Sequence, residues 1–293
     1  MSNSFIFEED WATKLQERLA EPTIWKAICN VEYTNEKVLH CPYKTDPTVQ
    51  TGTRGSAYTP QDITITDESI TIDTFKILPQ VIDRADLAQC TYVDQMNLAD
   101  AQGVLLNEAL ETAVYADHAN FTNFGDLGGG AVGLGSTQIT VSPTNIDDIV
   151  RGIKREIRKA KGKTLMRRNG VFIVWRSADF EILESFMQAN GFMSSDKALN
   201  GEAPLDSAAE TGIDYLGVTH FSSELLAANH VFAGVKKLYH LGIVTDTYGQ
   251  VVVTQDPVVG GGQISGVGVI SRIDFKGKVW HNYAPVLFDV NVV

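Results

Sequence analysis

Gly128, Gly130 and Gly133 spell GxGxxG within GDLGGGAVGLG. In a dinucleotide site such glycines let the backbone close on a pyrophosphate, provided a strand precedes the motif and a helix follows it. Here a long helical pattern comes before the glycines and a short strand pattern after them. The order is reversed, so the run is read as a turn. GGGQISGVG (260–268) lacks the Lys-Ser/Thr that completes a phosphate loop and is read as a hinge or a bulged strand entry.

The six histidines (His40, His118, His220, His230, His240 and His281) are scattered, with no HExxH or equivalent pair. His220, His230 and His240 fall in or beside strand patterns and are read as structural. No GxSxG elbow is present, and Cys29, Cys41 and Cys90 lack zinc or nucleophile spacing. The acidic runs Glu8-Glu9-Asp10 and Asp147-Asp148 open helical patterns, where negative charge is favoured without catalysis. Asn120-Phe121-Thr122 is a glycosylation sequon on paper, in a chain whose MSNSFIFEEDW start lacks the features of an export signal. No residue is therefore assigned to catalysis, to a cofactor or to a metal ion.

One charge feature stands out. Nine of the 24 basic residues fall between Arg151 and Arg168, opposed only by Glu156. Arg151, Lys154, Arg155 and Arg158 form the head of this run. Either it is a solvated helix face, or it meets acidic surface on another copy, a partner protein or packaged nucleic acid.

The chain has 293 residues, 44% of them hydrophobic and 20% charged, which fits an ordered globular protein with a real core. The net charge of −12 argues against wrapping nucleic acid directly, since phosphate affinity comes from Lys and Arg. No apolar run is long enough for a spanning helix, so no membrane is expected. Few, oddly numbered cysteines suit a reduced cytoplasmic place of synthesis.

These residues must be positioned by a mixed set of elements. Residues 7–19 pattern as an amphipathic helix whose stripe is Phe7, Trp11, Leu15 and Leu19. It docks either on its own domain or on a neighbouring chain. Residues 31–60 turn rich in Thr, Gly and Pro and cannot bury themselves. DITITDESITIDTFKIL (62–78) then alternates strictly, through Ile63, Ile65, Ile70, Ile72, Phe75 and Ile77. It reads as a ribbon with one covered face and no local core, the return leg of an excursion over 42–80. A proline-free pattern predicts one helix over 96–124. A second helix follows Thr144, with Ile146, Ile149, Val150, Ile153 and Ile157 on its apolar face. GVFIVWRS (170–177) reads as a buried strand and ADFEILESFMQANG (178–191) as a helix. Residues 192–212 read as a loop, and strands dominate thereafter. Without regular βαβ alternation, the class is α+β.

This order of elements resembles the major capsid proteins of tailed bacteriophages, with the Hong Kong 97-type fold. TPQDITITDESITIDTFKILPQVIDRADLAQ (59–89) is similar to that family's returning strand of the extended loop, and 96–124 to its spine helix. NIDDIVRGIKREIRKAKG resembles the start of the axial domain, and SGVGVISRIDFKGKVWHNYAPVLFDVNVV the closing strands of the peripheral domain. The resemblance implies an N-terminal arm over 1–41, an extended loop over 42–80, a peripheral domain over 81–144 and 256–293, and an axial domain over 145–255. It implies self-assembly into hexamers and pentamers of an icosahedral head enclosing double-stranded DNA without sequence-specific binding. Scaffold, portal and decoration proteins are the further partners implied, and the virion is the expected location. Arg54, Tyr58, Ile63, Ile65, Ile70 and Ile72 are then the expected inter-subunit contacts of the extended loop, and Phe7, Trp11 and Leu15 those of the arm. The competing readings are an encapsulin-type nanocompartment shell and, behind it, a soluble α+β enzyme.

Overall fold

The computed structural model describes residues 23–84, 95–190, 212–259, 262–263 and 265–293. The expected N-terminal helix, with Phe7, Trp11 and Leu15, lies outside them, as does nearly all of the loop at 192–212. Along the chain come α1 (Trp25–Ile28), β1 (Cys29–Thr34), β2 (Val38–His40), β3 (Tyr43–Lys44), β4 (Ile65–Thr66), β5 (Ser69–Thr71) and β6 (Thr74–Asp83). Then follow α2 (Gln95–Ala116), β7 (Thr122–Gly128), β8 (Ala131–Leu134), α3 (Ile146–Lys159), α4 (Lys163–Asn169), β9 (Val171–Trp175) and α5 (Ser177–Ala189). The rest is strand: β10 (Ile213–Tyr215), β11 (Val218–Ser222), β12 (His230–Val235), β13 (Tyr239–Val244), β14 (Val251–Gln255), β15 (Val258–Val259), β16 (Gly262–Gln263), β17 (Gly266–Val279) and β18 (Leu287–Asn291).

Two sheets organise the molecule, and the class is α+β as expected. One runs β10-β11-β9-β12-β18-β7-β8. Its interior strand β9, VFIVW, is buried at every residue, which is why it reads as a continuous apolar run rather than an alternation. Helix α3 buries Ile146, Ile149, Val150, Ile153 and Ile157, the predicted face. The other sheet runs β1-β13-β17-β14, with β6 paired to β17 over Thr74–Asp83. Helix α2 lies on this second sheet, where Gln102 Nε2 donates to Gln80 Oε1 at 2.9 Å and Ser271 Oγ donates to Gln102 Oε1 at 2.5 Å. One apolar cluster spans both sheets, from Trp25 and Leu110 to Phe172, Phe232 and Phe288.

Two expectations need correction. The helix predicted over 96–124 is α2, ending at Ala116; Asp117–Asn120 form a 3-10 turn and Thr122 starts a strand. Asp, His and Asn at 117–120 are weak helix formers, and Phe121 and Phe124 are buried in the neighbouring sheet cluster instead of continuing the helix. The single ribbon over 62–78 is three strands, β4, β5 and β6, each in a different sheet. β18 lies between β12 and β7 in one sheet, and β13 pairs with β17 in the other. No helix among the described residues is long and apolar enough to cross a membrane.

Candidate assembly surfaces

The chain leaves its core after β2 and returns at β5. These two strands pair, Val38 opposite Thr71 and His40 opposite Ser69, and form the root of an arm. The root is tied down. Lys278 Nζ donates to Ser69 O at 3.0 Å and lies 3.3 Å from Glu68 Oε1. The His281 main-chain N–H donates to Glu68 Oε2 at 3.0 Å, and the Tyr43 and His281 rings stack at 5.1 Å. Lys276 sits 3.0 Å from Asp73, and this hydrogen bond, with that of Thr74, lowers the Asp73 pKa.

Beyond the root, among the described residues, the two legs bond to each other. Tyr43 pairs with Thr66 and Lys44 with Ile65. Further out, Gln61 accepts from Thr48 N–H at 2.8 Å and its amide donates back to Thr48 O at 2.8 Å. Gln50 Nε2 donates to Thr59 O at 3.0 Å. The tip turns at Arg54-Gly55, where Gly55 has φ +90°, a conformation that suits glycine. At about 3.3 Å per residue the free shaft reaches roughly 35 Å from Lys44 to the tip. Every residue from 44 to 67 is exposed. Val49 is 95% accessible, Tyr58 84%, Ile63 65% and Ile65 69%.

The predicted loop residues therefore separate. Arg54, Tyr58, Ile63 and Ile65 are on the bare shaft. Ile70 and Ile72 are not: they are 2% and 8% accessible and covered by their own chain. Ile70 faces Leu39 across the root, and Ile72 Cδ1 packs over Gly242 of β13. The stripe of four isoleucines thus divides into two exposed ones on the shaft and two buried ones at its base.

A second apolar surface continues from the root. In an antiparallel sheet, residues directly opposite share a face. Phe75, Ile77, Pro79 and Val81 of β6 oppose Asp274, Arg272, Ile270 and Gly268 of β17, and Val252 of β14 opposes Ile270. This is the face away from Gln102 of α2, and Phe75, Ile77, Val81 and Val252 are exposed on it. The Arg272 guanidinium covers the Phe75 ring at 4.9 Å. Sequence reasoning carried the alternation as far as Phe75 and Ile77 but did not name this face. Val81 and the VVV run of β14 were the signal it left unused.

The basic head of α3 is less free than its sequence suggests. Arg151 pairs with Asp147 at 2.8 Å, one helical turn away. Lys154 donates to Leu216 O, and burial followed by the neighbouring Arg158 charge lowers its pKa. Arg155 donates to Val132 O and, at 3.1 Å, to Glu156. Arg158 is exposed. The arrangement ties α3 to the β7–β8 hairpin and the β10–β11 turn. That hairpin also carries the GxGxxG glycines. Gly128, Gly129 and Gly130 have positive φ at its turn and Gly133 lies in β8, so the motif opens no helix.

No family model and no curated protein matches the chain. Solved structures do. One from Mycobacterium phage Che8 superposes with a TM-score of 0.68 at 17% identity, covering 99% of this chain and 98% of that one. The chain has a phage capsid fold. The mature capsid of bacteriophage PhiM1 matches with a TM-score of 0.61 at 13% identity over 98% of this chain and 92% of the other. The capsid of Ralstonia phage GP4 gives 0.63 at 8% identity over 97% and 94%. With so few identities, the likeness is one of architecture. Among the described residues, the arm and the open β6–β17–β14 face are two surfaces that expose large apolar side chains.

Proposed function

We propose that this chain is the major capsid protein of a tailed bacteriophage, assembling into hexamers and pentamers of an icosahedral head around double-stranded DNA. One observation carries the reading. An arm with a reach of roughly 35 Å exposes Val49, Tyr58, Ile63 and Ile65 along a shaft whose hydrogen bonds, among the described residues, run from leg to leg, on a root locked to β17. Contiguous exposed apolar surface marks an interaction site. A two-legged strand pair without a third partner is marginal by itself in water. Lying across an adjacent copy supplies both the apolar cover and the missing support. The four-part division into arm, extended loop, peripheral and axial domains belongs to this proposal. So do the contacts of Phe7, Trp11 and Leu15 with a neighbour. Scaffold, portal and decoration proteins would be further partners, with the virion as the location and the host cytoplasm as the site of synthesis.

The acidic balance of −12 suits a shell whose contents are confined rather than tightly bound. The test is size-exclusion chromatography with negative-stain electron microscopy of the expressed chain, alone and with the head proteins of its own genome. Closed particles of uniform diameter support the proposal. Monomers under every condition overturn it, and particles filled with protein instead of DNA in infected cells point to a compartment shell.

A further inference from the structure

The fold gathers three side chains that the sequence reading left without a shared role. His118 lies in the 3-10 turn that ends α2, His230 begins β12, and Asp289 is in the middle of β18. His230 Nδ1 is 2.9 Å from both Asp289 oxygens, and His118 Nδ1 is 3.4 Å from Oδ2. The two imidazoles stack with centroids 3.8 Å apart. The donor atoms of all three residues fall within 4.8 Å of one another.

The Asp289 carboxylate is only 3% exposed, and a buried carboxylate needs neutralising. A divalent ion held among the three groups balances that charge. Two imidazoles and a carboxylate are the donor set of zinc-type sites, with metal–ligand bonds near 2.0–2.2 Å. Tetrahedral ligands at that bond length stand on the order of 3.3 Å apart. The 3.4 Å pair already has this spacing, and the 2.9 Å pair must open by a few tenths of an ångström. Both histidines are partly exposed, so water can fill the remaining coordination position.

Flanking hydrogen bonds brace these groups. Asp117, next to His118, accepts from Asn120 Nδ2 at 2.6 Å and from the Tyr239 hydroxyl at 3.1 Å. Val292 N–H donates to Asn229 O at 2.9 Å, beside His230. We propose that His118, His230 and Asp289 form a binding site for a zinc-type divalent cation that clips the end of α2 to the β12–β18 pair. The assignment of no metal ligand from sequence is thereby revised.

The experiment is equilibrium dialysis of the full-length chain against Zn2+, with elemental analysis of bound metal and excess Mg2+ as competitor. The expected result is one Zn2+ per chain, undisturbed by Mg2+. His118→Gln and His230→Gln, each checked for a parental circular-dichroism spectrum, should each weaken it at least about tenfold. Absence of saturable Zn2+ uptake by the parent, or uptake unchanged in both variants, overturns the proposal. Zinc K-edge absorption of the parental chain decides independently of any variant. A nitrogen and oxygen shell with imidazole scattering upholds the site, and a sulfur shell assigns the metal to cysteine and rejects it.

Discussion

The main-chain N–H of Ile24 donates to Glu111 Oε2 at 2.8 Å, inside the core and across 87 residues of sequence. The Tyr115 hydroxyl donates to the other oxygen at 2.6 Å. Burial and then the Glu111 charge hold the Tyr115 hydroxyl well above its usual pKa, so it stays a donor. Glu111 is thus the peg on which the start of α1, with fully buried Ile24 and Trp25, hangs on α2. Glu111→Ala strands the buried Ile24 N–H, takes the carboxylate acceptor from Tyr115 and should cost about 3 kcal/mol. In thermal unfolding of the subunit that is a drop of about 6 °C. Glu111→Gln keeps one acceptor and should lose less. Equal losses in the two variants would refute this account.

Gly152 tests packing against propensity. Alanine is favoured over glycine inside a helix by about 1 kcal/mol. A Cβ at Gly152, however, would stand 2.8 Å from Phe124 Cζ and 2.8 Å from Val132 Cγ2. Both neighbours are buried, Phe124 completely, so neither can retreat. Overpacking of this kind costs about 1–3 kcal/mol. Gly152→Ala should therefore be net destabilising by about 1 kcal/mol, read as an earlier urea midpoint. A later midpoint would show that α3 stands further from the β7–β8 hairpin than described.

Elements with one dominant period were legible in the sequence. The apolar face of α3 and the all-apolar β9 carry their own evidence, because each keeps one pattern along its whole length. The ribbon over 62–78 failed for a specific reason. Period two holds within Ile63–Ile65, Ile70–Ile72 and Phe75–Ile77 but changes phase between them; read without that phase, three strands in three sheets looked like one. Likewise Phe121 and Phe124 kept apolar residues coming after Ala116, where only the weak helix formers at 117–120 signalled the end. His118, His230 and Asp289 could not be found by spacing at all, since sheet pairing alone brings β12 beside β18.

His220 should make the subunit acid-sensitive. It is fully buried on β11, and its Nδ1 accepts from Trp175 Nε1 at 2.9 Å. Burial lowers its pKa to about 4, against 6.5 when unfolded. Between those values the unfolded chain binds a proton that the native chain refuses. Stability is therefore full above pH 6.5, falls as pH drops towards about 4, and levels below it. By pH 4.5 the loss from this residue is about 2.5 kcal/mol. His220→Gln should flatten that part of the profile between pH 7.5 and 4.5 in urea titrations. Identical slopes for parent and variant would remove His220 as the cause.

The split among the loop isoleucines gives the sharpest contrast. Ile63 and Ile65 are more than three-fifths accessible, whereas Ile70 is 2% accessible against Leu39 at the root. Exposed substitutions away from special contacts change stability by about 0.5 kcal/mol or less. An aspartate at position 70 instead loses the buried side chain and buries a charge without a designed partner, a cost of about 3–5 kcal/mol. The double variant Ile63→Asp/Ile65→Asp should keep the parental melting temperature and yet fail to form particles. Ile70→Asp should melt earlier, with assembly lost only as a consequence of subunit instability. The same physics predicts a graded response on the shaft. Ile63→Val and Ile65→Val remove one methylene each from whatever covers them and should weaken assembly without abolishing it. Particle yield is read by sedimentation, and subunit melting by circular dichroism on the unassembled fraction. If the double aspartate variant assembles with parental yield, the shaft does not lie on a neighbouring copy.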